Sequence, residues 1–133
     1  MKTVLVVDAQ GGGLGRQIVS KLKESGMDIR ILAVGTNSTA TAAMLKAGAD
    51  EAATGENSIR VCSRMADYIV GPIGIVIADA MLGEITAAMA VAIGQSPAKK
   101  LLIPMNNCNN IVVGYNKPGF AKLMDEIIEQ IHE

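Results

Sequence analysis

Short apolar runs alternate along this chain with stretches in which apolar positions return at helical spacing, and the alternation predicts strand and helix in turn from end to end. The first run, Thr3–Val7, leads through Asp8-Ala9-Gln10 into Gly11, Gly12, Gly13 and Gly15. A helix follows in which Leu14, Ile18, Val19 and Leu22 share one face, and Ser25-Gly26 stops it. A second strand is expected over Asp28–Val34, then the turn Gly35-Thr36-Asn37-Ser38 and an alanine-rich helix through Lys46. Glu51–Ala53 reads as a short third strand, and Thr54-Gly55-Glu56-Asn57 supplies capping residues for a helix with Ile59, Cys62, Met65 and Ala66 on one side.

Tyr68–Val70 is the fourth predicted strand. Beyond it the pattern is ambiguous: Ile73–Ile77 either extends that strand or begins a helix, and a helix is expected over Glu84–Ile93. Lys100–Pro104 reads as a fifth strand and Ile111–Gly114 as a sixth, joined by Asn106-Asn107-Cys108-Asn109-Asn110. That connection is too short for a helical crossover, so antiparallel pairing is expected. Phe120, Leu123, Met124, Ile127, Ile128 and Ile131 define the last helix. The whole predicts an α/β protein: one Rossmann-like domain over residues 1–133, three-layer α/β/α, with a mostly parallel sheet and an antiparallel C-terminal strand.

Composition narrows the function classes. Twelve basic against thirteen acidic residues give a net charge of −1 with no basic run, so nucleic acid is not an expected partner. Half the residues are apolar, but only Tyr68, Tyr115 and Phe120 are aromatic, so the core must be aliphatic and surfaces for stacking bare bases are scarce. Cys62 and Cys108 fit no metal spacing and are too few for a disulfide framework; with no leader pattern at the N-terminus, a reducing cytoplasmic setting is the expectation. The longest apolar region, residues 69–89, is interrupted by Gly71, Pro72, Asp79, Gly83 and Glu84, so no membrane span is expected. So many apolar side chains on a small domain point to a homo-oligomer, with residues 81–93 as a candidate interface.

The candidate chemistry starts at the glycine loop. A strand-to-helix turn without β-carbons lets backbone N–H groups approach a phosphate, and the helix N-terminus adds partial positive charge. Asp8, Gln10, Gly11, Gly12, Gly13, Leu14 and Gly15 are therefore candidate cofactor-binding residues. In the dinucleotide frame G-x-G-x-x-G, Gln10 occupies the first glycine position; in the frame G-x-x-x-G-x-G, Ala9 does. The stretch Gly11-Gly12-Gly13-Leu14-Gly15-Arg16 resembles locally the glycine loop of short-chain dehydrogenases. The resemblance ends with the first βα unit, because neither Tyr68 nor Tyr115 has the lysine four residues later that the family's proton transfer needs.

Thr36, Asn37 and Ser38 at the end of the second strand replace the acidic ribose reader of an NAD site. Their donors suit a 2′-phosphate, favouring NADP over NAD, or simply cap the next helix. Gly71 and Pro72 join the same rim of strand C-terminal ends, as do Thr54–Asn57 and Asn106–Asn110. Asp8, Glu56 and Cys108 are the residues an enzyme reading would use, with Asp79 and Glu84 as a candidate acid pair; turn, capping and surface roles compete at each. The sole histidine, His132, lies in the C-terminal helix, away from either cysteine in sequence.

Val7–Gly15, Leu45–Glu51, Thr54–Asn57, Gly71–Gly74, Met81–Thr86 and Ile103–Asn109 together resemble a family of small bacterial proteins of unknown function. That resemblance spans nearly the whole chain and implies a stand-alone Rossmann-like domain without implying an activity. The expected function is binding of a nucleotide, dinucleotide or other phosphorylated metabolite; a small NADP-dependent reductase and a ligand-free structural oligomer are the alternatives.

Overall fold

The computed structural model describes residues 1–105 and 109–133. Five strands, β1 (Lys2–Asp8), β2 (Ile29–Gly35), β3 (Glu51–Thr54), β4 (Tyr68–Pro72) and β5 (Lys99–Ile103), form one sheet in the order β3-β2-β1-β4-β5. Every pairing is parallel. Five α-helices, α1 (Gly13–Glu24), α2 (Ser38–Lys46), α3 (Glu56–Met65), α4 (Ala87–Gln95) and α5 (Phe120–His132), cover the two faces.

Strand β1 is central, and its alternation builds both layers of the core. Val4 and Val6 point to one side, where they pack with Ile18, Val19 and Leu22 of α1, Met44 of α2, and Met124, Ile127 and Ile131 of α5. Leu5 and Val7 point to the other, against Ile59 of α3, Met89, Ala90 and Ile93 of α4, and Ile75 and Ile85 from the segment between β4 and α4. A strand buried on both faces must be a continuous apolar run, which is why Val4–Val7 carries no polar interruption.

Apart from the sixth strand, the predicted strands and helices are present with ends shifted by up to three residues. Helix α4 begins at Ala87 rather than Glu84, because Thr86 is its N-cap and its hydroxyl accepts from the Met89 N–H at 3.1 Å. The ambiguous stretch after β4 becomes a single 3-10 turn, Ile73–Val76, followed by turns up to Gly83 and Glu84. The expected antiparallel strand over Ile111–Gly114 is not formed. This segment turns instead, the Tyr115 N–H donating to the Val112 carbonyl at 3.2 Å, and the sheet ends at β5. Ile111 and Val113 are left 87% and 93% exposed: their β-branched side chains favour a strand, but no inner face receives them. Met65, expected on the buried side of its helix, is 48% exposed, whereas Met44, Met89 and Met124 are core residues. Asn106, Asn107 and Cys108 lie outside the described residues.

Candidate functional site

Because β1 pairs with β2 on one side and β4 on the other, chain direction across the sheet reverses at β1, and in open parallel sheets ligands bind beyond the carboxyl ends of the strands at such a reversal. The glycine loop directly follows β1 at that position. Two of its glycines are required by packing. Gly12 sits in the left-handed region at φ 74°, and a β-carbon on it would lie 2.7 Å from Ala40 Cα; one on Gly15 would lie 2.8 Å from Asp8 Cβ and 2.6 Å from Met44 Sδ. The other two face open space. Gly11 and Gly13 are exposed, and nothing lies within 4 Å of where their β-carbons would be.

The backbone donors follow the same division. Gly12 N–H donates to the Ala9 carbonyl at 3.0 Å and Arg16 N–H to Gly12 at 2.8 Å. Gly15 N–H donates to Asp8 Oδ2 at 2.6 Å. The N–H groups of Gly11, Gly13 and Leu14 have no partner among the described residues. Gln10, in the position that the dinucleotide frame gives to glycine, adopts φ 52°, so the backbone makes the left-handed turn the frame calls for with a side chain attached.

Asp8 is buried at the end of β1, and burial pushes its carboxyl pKa up, against the lowering effect of hydrogen bonds from Gly15 and Ala9, with the negative charge of Glu84 adding to the rise. Glu84 comes from the turn segment before α4, 74 residues from Gln10 in sequence. Its Oε1 accepts from Thr36 Oγ1 at 2.6 Å, Gln10 N–H at 2.8 Å and Asn37 Nδ2 at 2.9 Å. The Thr36 hydroxyl foremost, then the Gln10 N–H and, after some opposing desolvation, the Asn37 amide hold this carboxyl below its usual pKa. Asn37 Nδ2 also donates to the Gln10 carbonyl, and Asn37 Oδ1 accepts from Ala40 N–H, capping α2.

Thus the structure brings Asp8, Gln10–Gly15, Thr36 and Asn37 to one edge and adds Glu84, whose position no spacing in the sequence announces. The clue available was a glutamate after Gly83 in an otherwise apolar region. Ser38 is exposed at the start of α2. Gly71 serves strand packing, since a β-carbon there would lie 2.5 Å from the Val7 carbonyl oxygen, and Pro72 ends β4. Glu56 accepts from the Thr86 hydroxyl and so joins the start of α3 to that of α4. Cys62 is free and packs against the α3–α4 side of the core, where burial raises its thiol pKa. Among the described residues no three His, Cys, Asp or Glu side chains gather to hold a metal, and no helix is long and apolar enough to cross a membrane.

The fold is therefore of the Rossmann type: an open, five-stranded parallel sheet between helices, with a glycine loop at the strand ends where such proteins bind ligands. The chain belongs to the family described as domain of unknown function DUF3842, whose sequence model matches residues 3–133. No curated protein matches it. Among solved structures, it is similar to a dodecameric FMN-dependent Ubix-like decarboxylase from Escherichia coli O157:H7, with 14% sequence identity and a TM-score of 0.54 over 100% of this chain and 96% of that one. At that identity the likeness is one of fold.

Proposed function

We propose that this protein binds a small phosphorylated ligand of the nucleotide type, with the phosphate on the Gly11–Gly15 loop and the sugar side toward Thr36 and Asn37. The observation that carries this reading is the division within the loop: Gly12 and Gly15 are taken up by packing, while Gly11 and Gly13 are open and, with Leu14, present N–H groups that no described residue uses. Packing alone would not require glycine at the two open positions. The FMN dependence of the structural neighbour supports a flavin nucleotide as one candidate, and NAD and NADP stand beside it.

Binding is tested by thermal shift and calorimetry with FMN, NAD, NADP, ATP and sugar phosphates. A ligand at one hundred times its Kd should stabilise the folded chain by about 2.7 kcal/mol, and Gly13→Val should abolish the shift while leaving the unliganded melting point close to that of the parent. Failure of the whole panel to bind refutes the reading.

A homo-oligomer is the second part of the proposal. Ile111 and Val113 are almost fully exposed, and a depression of about 580 Å³ between β5 and α5 has Leu101, Ile103, Pro104, Leu123 and Ile127 in its lining together with Lys100, Glu126 and Gln130. Leu82, 97% exposed, and Val91, 52% exposed, add apolar surface within the 81–93 segment. Exposed apolar side chains of this kind are commonly covered by another subunit where they adjoin, and light scattering of the parent and of an Ile111→Lys, Val113→Lys variant tests it: the variant should lose subunits, and a monomeric parent refutes the proposal.

A further inference from the structure

Glu84 reaches the ligand rim from the turn segment before α4 and lies between the loops that follow β1 and β2. Its Oε1 is taken by three donors, Gln10 N–H, Thr36 Oγ1 and Asn37 Nδ2, at 2.6–2.9 Å. Its Oε2 accepts from no described residue, and the side chain is partly exposed. Among the described residues, one oxygen is thus fixed while the other is open. In an open parallel sheet of this strand order, the end of β2 is where the ribose of a bound nucleotide lies, and an acidic side chain there accepts hydrogen bonds from its hydroxyls.

We propose that Glu84 is the ribose reader of this site, accepting the 2′ and 3′ hydroxyls at Oε2 and barring a 2′-phosphate. The inference rests on the nucleotide-binding reading above and names its ligand class: nucleotides whose ribose is unphosphorylated. Thr36 and Asn37 have the donors a 2′-phosphate would need, but both donate to Glu84, so such a phosphate would meet a carboxylate whose ionised form these same bonds favour. The acidic residue that the end of β2 lacks in sequence is supplied from the other half of the sheet.

Glu84→Gln is the discriminating variant. Its amide oxygen can keep all three donors, which turns the NH2 group toward the Oε2 position and replaces an acceptor by a donor without disturbing the fold. Calorimetric titrations use AMP, 2′-deoxy-AMP and adenosine 2′,5′-bisphosphate. The parent should bind AMP about tenfold more tightly than the deoxy compound and more tightly still than the bisphosphate, and in Glu84→Gln the preference for AMP over the bisphosphate should fall by about tenfold or more.

An unchanged preference in Glu84→Gln overturns the proposal, as does a Glu84→Ala variant that binds all three probes more tightly by the same factor, since the carboxylate would then only be filling an empty anion site. A parent that binds the three probes equally, or binds FMN and none of them, overturns the ribose role and leaves phosphate binding standing. A parent that binds neither these probes nor any member of the wider FMN, NAD, NADP, ATP and sugar-phosphate panel refutes both.

Discussion

The packing of the glycine loop makes a prediction that separates its two duties. In Gly12→Ala the new methyl would sit on a backbone at φ 74°, 2.7 Å from Ala40 Cα and 3.0 Å from the Ala40 carbonyl oxygen. Both atoms are main chain, so relief requires the start of α2 to move as a unit. The left-handed conformation costs a non-glycine residue about 1–2 kcal/mol, and crowding of this kind adds about 1–3 kcal/mol. Stiffening of the unfolded chain returns about 0.4–1 kcal/mol. A net loss of roughly 1–5 kcal/mol follows from these terms. Gly13→Ala meets nothing within 4 Å and lies at the first residue of α1, outside the left-handed region. Its stability should stay within about 1 kcal/mol of the parent, on the stabilising side. Urea unfolding of the three proteins checks both values, and ligand titration of Gly13→Ala then isolates the binding role. Equal destabilisation by the two substitutions would refute the division of the loop into packing and open glycines. Gly13→Val that folds and binds like the parent would show that no ligand approaches there.

Asp8→Asn keeps a side-chain oxygen for the Gly15 N–H and removes a buried charge. Because burial raises the folded-state pKa of Asp8 above its unfolded value, the parent loses stability as pH rises through that folded-state pKa. The Asp8→Asn variant should therefore be the more stable form at neutral pH, with the gap closing in acid, and urea midpoints across pH would contradict this if the parent were stronger at pH 7. Glu84 has the opposite sign: its lowered pKa gives stability that is present above the ordinary carboxylate range and lost as pH falls through the lowered value, so Glu84→Gln should flatten the acid limb of the same curve. Thr86→Ala removes the cap on Met89 N–H and the partner of Glu56, and should lower stability by about 1 kcal/mol, with Thr86→Ser restoring most of it in thermal melts. Gln10→Gly relieves a left-handed side chain at φ 52° while keeping the N–H that Glu84 accepts from, and should leave stability unchanged or raise it by up to about 1 kcal/mol.

The strands and helices that were legible in sequence are those whose burial is set by their own period. Val4–Val7 is buried on both faces and reads as an unbroken apolar run; Met124, Ile127 and Ile131 are buried on one face of α5 and recur at helical spacing. Ile111-Val112-Val113 carries the same β-branched signal without a sheet edge paired to it, so local preference there predicted a strand that tertiary pairing does not provide. The glycine loop and the Thr36-Asn37 cap could be placed at one rim because strand order in such sheets follows from chain order. Glu84 could not, since its hydrogen bonds to Gln10 and Asn37 span 74 and 47 residues and depend on how the turns after β4 fold back.

The end of β2 also explains why an acidic side chain arrives there from so far away. Gly35 closes the strand so tightly under α2 that a β-carbon would lie 2.5 Å from the Thr41 backbone nitrogen. Thr36 and Asn37 are committed to the turn itself, Thr36 N–H donating to the Asp8 carbonyl and Asn37 capping α2. A longer acidic residue at 35 would clash, and one at 37 in place of asparagine would lose the amide that ties the loop to Gln10. The 77–86 segment meets the need at a conformational cost, since Asp79, Met81 and Leu82 all adopt positive φ to return the chain to Glu84 and buried Ile85. Such clustered backbone strain persists where surrounding contacts hold it, and here those contacts are the Ile85 side chain in the core and the three donors on Glu84. If the proposed ligand binds at this rim, its binding is coupled to the conformation of this segment through one carboxylate.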